Sequence, residues 1–519
     1  MSNSAKADQW TIEGATDQEA LQVTGALIDH AFDEASPSHT TRAFSLLDEL
    51  AKRDLTEADA ALLHYFRANA WENRRQERGE HREWSWEQQA TQDQLLELRR
   101  CIRHGGFPAL HPIRRCQILT NLGNLMNSVG RFVEAIDYWD RALAAEPNFA
   151  MALGNKALGL KHYALTLYDG GHTGLQLLFA YDSLGRALSE DAVYESYDGA
   201  QQRGQFTAFQ TEIAAAADIS AIRESADLEN HSLGETEEER AYRQWCLEHR
   251  LFLNPLNDLG ALPIAAQDIL TLPSLRTKGD AAMPEIIGLY NQMKQEYASA
   301  RYMYYQGCEL RARRDSAHYA DKGVLLYNTL DYPVYGLAAE QIRVAYRMAY
   351  SLFDKCSYFL NAYFDAGHAA NRVNFRNVWY YKRGREQKLA RPFRESRNWP
   401  LRGLFWLSKD FFDPAFKNTT APDAEALDEI RHHIEHKYLH LTESAPPENE
   451  NADDPAIRYA LSLDDFSYRC LQLLGRARAV MIYLSLAVHM EERRKLSEDE
   501  EGLFVGAMPI GIWDDDWKL

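Results

Sequence analysis

Cysteine is scarce in this chain, with six among 519 residues. Cys101, Cys116, Cys246, Cys308, Cys356 and Cys470 lie too far apart for a C-x-x-C pair and are too few for a disulfide framework. Reduced, partly buried thiols are the expectation. No run approaches the roughly 18 uninterrupted apolar residues of a membrane helix. The opening MSNSAKADQWTIEG also lacks the basic-then-apolar order of a signal peptide. The expected setting is the cytoplasm, with no membrane partner. Positive charge is in deficit: 57 Lys and Arg stand against 76 Asp and Glu, for a formal net charge of −19. A uniformly acidic surface repels nucleic acid, so any nucleic-acid reading needs a local basic region. Alternating strand-like runs are few.

What is present is helical periodicity in a composition typical of soluble proteins, 45% apolar and 26% charged. Ala43–Lys52, Ala58–Arg74 and Trp84–Arg103 carry apolar residues at helical spacing. Cys116–Phe149 reads CQILTNLGNLMNSVGRFVEAIDYWDRALAAEPNF. Leu119, Leu122, Gly123 and Met126 fall on one helix, and Ala135, Trp139 and Ala142 on a second. Gly130 breaks the chain between them, and Pro147 closes the unit. Gly123 and Ala135 are small where two helices cross tightly, while Leu and Trp fill the groove. This unit resembles the tetratricopeptide (TPR) repeat of about 34 residues. Ala180, Leu184 and Ala187 repeat the spacing, and Tyr65, Ala68 and Trp71 match it in part. One such unit cannot bury its own face, so an array of helical pairs is expected.

The fold class is therefore all-α, with residues 1–19 as an N-terminal segment and 20–223 as TPR-like helical repeats. Residues 224–283 form a linker and junction, 284–494 a helical bundle, and 495–519 an acidic tail. Within the junction, Thr236 is a candidate helix start with acids in its first turn. The aromatic and leucine-rich YRQWCLEHRLFLNPLNDLG, Tyr242–Gly260, reads as a helix plus an ordered loop sealing the two halves. The bundle shows four helical patterns: Pro284–Arg314, Gly336–Phe364, Ala424–Leu441 and Leu463–Arg494. Phe405–Phe416 reads as a packed loop, and Glu443–Pro455 as an acidic flexible one.

The third bundle helix, LDEIRHHIEHKYLHL, puts Leu427, Ile430, Ile434, Tyr438 and Leu441 on one stripe. His432, His436 and His440, spaced four apart, fall opposite. Arg431 lies at the edge of the apolar stripe, beside Glu435. Arg431 and His436 form an Arg-x4-His pair with a polar residue directly after the arginine. Here residues 284–494 resemble the HEPN superfamily, four-helix bundles bearing an Arg-x4–6-His motif.

The resemblance implies a metal-independent endoribonuclease that needs no cofactor and dimerises to complete its site. It also implies cleavage through the ribose 2′-OH, leaving 2′,3′-cyclic phosphate and 5′-OH ends, in toxin action or defence against phage. Arg431 and His436 are then the catalytic residues, with His432, Glu435 and His440 in support; His433 and His440 read as surface or supporting groups. The three four-spaced histidines also allow a helical metal stripe, but no further ligand motif accompanies it, and no metal is assigned.

The basic region is Arg372–Arg402, with ten Lys or Arg against two acids. Arg372, Arg376, Lys382, Arg383, Arg385, Arg391 and Arg394 are its candidate RNA contacts. Trp379, Tyr380, Tyr381, Phe393 and Trp399 are candidate stacking rings, unless they pack onto the bundle. The expected partners are RNA, a second copy of the chain, and a protein or peptide on the repeats. A non-enzymatic scaffold, or a module that binds a nucleotide without cutting, is the alternative.

Overall fold

A computed structural model describes residues 7–195, 199–275, 285–313, 317–383, 386–412, 416, 423–444, 457–498, 513 and 515–518. The helices described before the junction include α1 (Asp17–Asp33), α2 (Pro37–Leu50), α3 (Glu57–Glu77), α4 (Gln89–Arg103), α5 (Pro112–Ser128), α6 (Phe132–Ala145), α7 (Ala150–Ala164), α8 (Gly170–Leu188), α9 (Ala200–Ala216) and α10 (Ile219–Ser225). They pack as pairs, α3 with α4, α5 with α6, and α7 with α8. Local chemistry starts several of them. Thr16 and Glu19 form a reciprocal capping box on α1, and Thr56 caps α3 through the Asp59 N–H.

The expected small-residue crossing is observed. Trp139, 1% exposed, is wedged between α5 and α7. A Cβ on Gly123 would lie 2.6 Å from its indole nitrogen, and one on Gly159 would lie 2.4 Å from the far edge of its ring. The indole N–H donates to Asn124 Oδ1 at 3.0 Å, which satisfies the one polar atom this packing buries.

From the junction onward the chain contains α11 (Glu237–Glu248), α12 (Glu285–Ala312), α13 (Leu337–Tyr363), α14 (Trp399–Phe412), α15 (Asp423–His436) and α16 (Leu463–Glu498). Thr236 caps α11 by accepting from the Glu239 N–H at 3.1 Å, as its acidic first turn requires. Among the described residues, two short ladders accompany the helices: β1 (Tyr380–Arg383) antiparallel to β2 (Glu386–Leu389), and β3 (Tyr438–Thr442) parallel to β4 (Arg458–Ser462). The four expected bundle helices are present. A further helix, α14, stands where Phe405–Phe416 reads as a loop; its polar Arg402 and Asp410 are buried because their partners, Gln88, Ser128 and Arg99, come from N-terminal segments that no local pattern contains. Most of the expected acidic loop, residues 445–455, lies outside the described residues.

The longest helix, α16, packs on α12, α13 and α14. By length and composition it could cross a membrane, but 78% of its most apolar window is buried inside the protein. The junction seals the halves, as its composition implies. From α16, the buried Arg478 donates to Asp258 at 2.6 Å and to the Phe252 and Asn254 carbonyls. Tyr163 of α7 donates to the other oxygen of Asp258 at 3.0 Å.

A second contact joins α14 to the N-terminal helices. Asp410, 1% exposed, receives Arg99 at 2.8 and 3.1 Å and also Arg131. Gly130 and Gly403 let the two backbones meet, since a Cβ on Gly403 would lie 2.2 Å from the Gly130 carbonyl oxygen. Gly130 also has a φ of +89°, so the same glycine closes the α5–α6 turn. The six cysteines are free thiols, five of them buried.

Candidate active site

Leu427, Ile430 and Ile434 are buried and fix the face that α15 turns inward. The opposing helix α13 fastens it. Tyr346 donates to the Leu427 carbonyl at 2.8 Å, Arg347 to the Ile434 carbonyl at 2.9 Å, and Arg343 to the Leu439 carbonyl at 3.0 Å. The next turns of α13 present Tyr350 and Asp354 to Arg431. Its guanidinium carbon lies 4.6 Å from the Tyr350 ring centroid, and Nη2 is 3.3 Å from Asp354. Burial lowers the pKa of Arg431, but Asp354, Tyr350 and Glu435 together outweigh it and raise the pKa above the usual value.

Glu435 links the two motif residues. It is 3.4 Å from Arg431 Nε and 3.6 Å from His436 Nε2. His436 ends the helix with its side chain 64% exposed, against 31% for Arg431. The His432 ring lies 5.4 Å from that of His436, centroid to centroid, and is also exposed. Arg431, His432, Glu435 and His436 therefore form one partly open polar surface. An imidazole so exposed can exchange a proton with a bound molecule, and a planar guanidinium held on a ring can receive a phosphate in bidentate fashion.

His440 does not belong to this group. The helix stops at His436, and His440 lies in β3 with 0% exposure. It accepts from Arg458 and lies 3.4 Å from Asp331. The alternation in Leu439, His440 and Leu441 is a strand signal, and pairing with β4 wins over helical continuation. This also breaks the three-histidine metal stripe. His433 is likewise buried, at 2%, rather than on the surface; its Nδ1–H donates to the Glu429 carbonyl at 2.8 Å.

The basic region divides. Arg372, Arg376, Arg391 and Arg394 are exposed, the last two beside Glu395. The side chains of Lys382 and Arg383, and all of Arg385, lie outside the described residues. Most of the interleaved rings are structural. Trp379 and Phe393 are 0% exposed, Trp399 stacks on Phe132 at 4.6 Å, and Tyr380 donates to Glu87. Tyr381, 60% exposed, remains for stacking. Ring contacts Phe375–Phe353, Phe353–Phe411 and Phe411–Tyr350 connect the insert to the ring under Arg431. Sequence reasoning missed Tyr350 and Asp354, although Arg343, Arg347, Tyr350 and Asp354 form a polar stripe at helical spacing.

Residues 277–491 match the family model described as LA2681-like HEPN. No curated protein and no solved structure matches the chain.

Proposed function

The chain is a HEPN-family protein, with its HEPN domain in the C-terminal half, and from that premise we propose that it is a metal-independent endoribonuclease acting through Arg431 and His436. The observation that carries this reading is the open surface on which Glu435 joins a ring-stacked arginine to an exposed histidine. Neutral His436 takes the proton from a ribose 2′-OH. The oxygen attacks the adjacent phosphorus, and the bond to the 5′-oxygen breaks. A protonated imidazole supplies the proton that the leaving oxygen needs. Arg431 holds the phosphate and balances charge growing on its oxygens. The products carry 2′,3′-cyclic phosphate and 5′-OH ends.

One chain brings one His436, so acid and base come from two copies related by a two-fold axis. The region beside the site supports such an interface. Val324, Leu325, Leu326, Tyr327, Leu330 and Tyr332 are between 59 and 96% exposed. A run of exposed large apolar side chains of this kind is what an interaction partner would cover. The segment is tied to the strand after His436: Val334 N–H donates to the Leu441 carbonyl at 2.7 Å, and the Tyr335 and Tyr438 hydroxyls are 3.1 Å apart. Regulation by the N-terminal helices is supported by Asp410, which Arg99 and Arg131 grip while the adjacent Phe411 packs toward Tyr350. The setting we infer is toxin-like or defensive.

The test is to incubate the protein and its His436→Ala variant with total RNA and chelator, then map the fragment ends. Cyclic-phosphate ends that vanish in the variant support the reading. Equal cleavage by folded His436→Ala refutes it.

A further inference from the structure

Away from the HEPN domain, helices α1, α3, α4 and α5 enclose an open cavity of about 420 Å³. Its walls are rich in side-chain amides, two of which spend an N–H inside the protein. Asn73 donates its NH2 to the Ile28 carbonyl at 2.9 Å, and Asn121 donates to the Tyr65 hydroxyl at 3.4 Å. Each keeps its amide oxygen for another donor. Gln94 is 5% exposed, and its Oε1 is buried without a hydrogen-bond partner among the described residues.

The charges in the cavity point the same way. Arg75 is held by both oxygens of Glu72, at 2.9 and 3.0 Å, so that pair is internally satisfied. Asp29 lines the cavity with no hydrogen bond or ion pair to its carboxylate among the described residues. Burial is the first cause of its raised pKa; Arg114 opposes the shift and Asp33 adds to it. Phe32, 47% exposed, supplies a ring face at the same cavity.

The cation in the lining, Arg75, is held by Glu72, which leaves an unpaired carboxylate, three amide oxygens and a ring for a ligand. A planar cation with five N–H donors matches it: the fork reaches several acceptors while its face lies on an aromatic ring. We propose that this cavity binds a guanidinium group, carried by an arginine side chain of a peptide or by a small guanidine. The size falls within the range of small-molecule sites. The site is independent of the nuclease reading. It is nevertheless connected to the bundle, because Gln94 shares α4 with Arg99, which grips Asp410.

The experiment is isothermal titration of the full chain with agmatine, with a blocked Ala-Arg-Ala peptide and with its citrulline counterpart. The expected result is saturable binding of at least one guanidinium probe and at least tenfold weaker binding of the neutral citrulline peptide. Asp29→Asn and Gln94→Met, each checked for an unchanged melting curve, should each weaken binding about tenfold. His436→Ala should bind as the parent does, which separates this site from the nuclease. Equal affinities for agmatine and the peptide identify the group alone as the ligand; tighter peptide binding identifies a peptide. Absence of binding by both guanidinium probes, equal binding of the citrulline peptide, or unchanged affinity in both cavity variants overturns the proposal.

Discussion

Two arginine clusters in this protein solve opposite problems. At the contact between the halves, Arg99 and Arg131 are 5 and 2% exposed and share Asp410, itself 1% exposed. In the HEPN domain, Arg431 is 31% exposed and divided between Asp354 and Glu435. The first cluster has no room for a new partner, and its charges are compensated within the fold. The second can exchange Glu435 for an incoming phosphate without opening the core. Burial thus distinguishes a structural arginine from one available to chemistry.

The largest effect is expected at Asp410. Replacing it with Ala leaves the buried Arg99 without its carboxylate and the buried Arg131 with Glu134 alone, and the expected loss is about 3–5 kcal/mol. Denaturant unfolding measures it; a loss below about 1 kcal/mol would mean the cluster is well solvated. At the other cluster, Arg431→Ala should leave the unfolding midpoint nearly unchanged yet reduce cleavage about 10²–10³-fold. Arg431→Lys should recover little, because an ammonium cannot reproduce the fork or its stacking on Tyr350. A large stability loss in Arg431→Ala would erase the distinction between the two sites.

Acid sharpens the same contrast. Burial pushes the Asp410 carboxyl up, but Arg131 and Arg99 outweigh it and hold its pKa below the ordinary value. Its contribution is therefore complete above the unfolded carboxyl pKa of about 3.9 and is lost as pH falls through the lower folded value. Tryptophan fluorescence of Trp84, Trp86 and Trp399, which lie at this contact, should stay native down to about pH 4 if Asp410 limits acid opening. Opening near pH 6 would assign it to another group. The smallest effect is expected for Glu435→Gln. It removes one partly exposed carboxylate from Arg431, and RNA affinity should rise severalfold, within about 1 kcal/mol. Weaker RNA binding would show that Glu435 orients the pair instead of competing for it.

The helical class and the small-residue crossings were legible because they rest on local periodicity. Gly123 and Trp139 meet as their spacing implies, and Thr236 caps its helix as its acidic neighbours imply. Arg431, His432, Glu435 and His436 could be grouped from the sequence because they lie within two turns of one helix. His440 could not be placed by the same arithmetic, since its partners Asp331 and Arg458 come from distant segments and draw the chain into a strand. The aromatics of Arg372–Arg402 failed for a related reason. A ring beside arginines reads alike whether it stacks on a base or on Phe132, and the partner lies about 270 residues away. Tyr350 and Asp354 needed the pairing of α13 with α15, which no single helical wheel contains.

If this surface uses a ribose 2′-OH as its nucleophile, removing that one hydroxyl abolishes the cut. The most direct measurement uses a short RNA spanning a mapped cut, compared with the same strand carrying one 2′-deoxynucleotide on the 5′ side of the scissile phosphate. Cleavage of the first and none of the second at that bond is expected, with His436→Ala inactive on both. Cleavage of the deoxy-substituted strand at the same bond would contradict it.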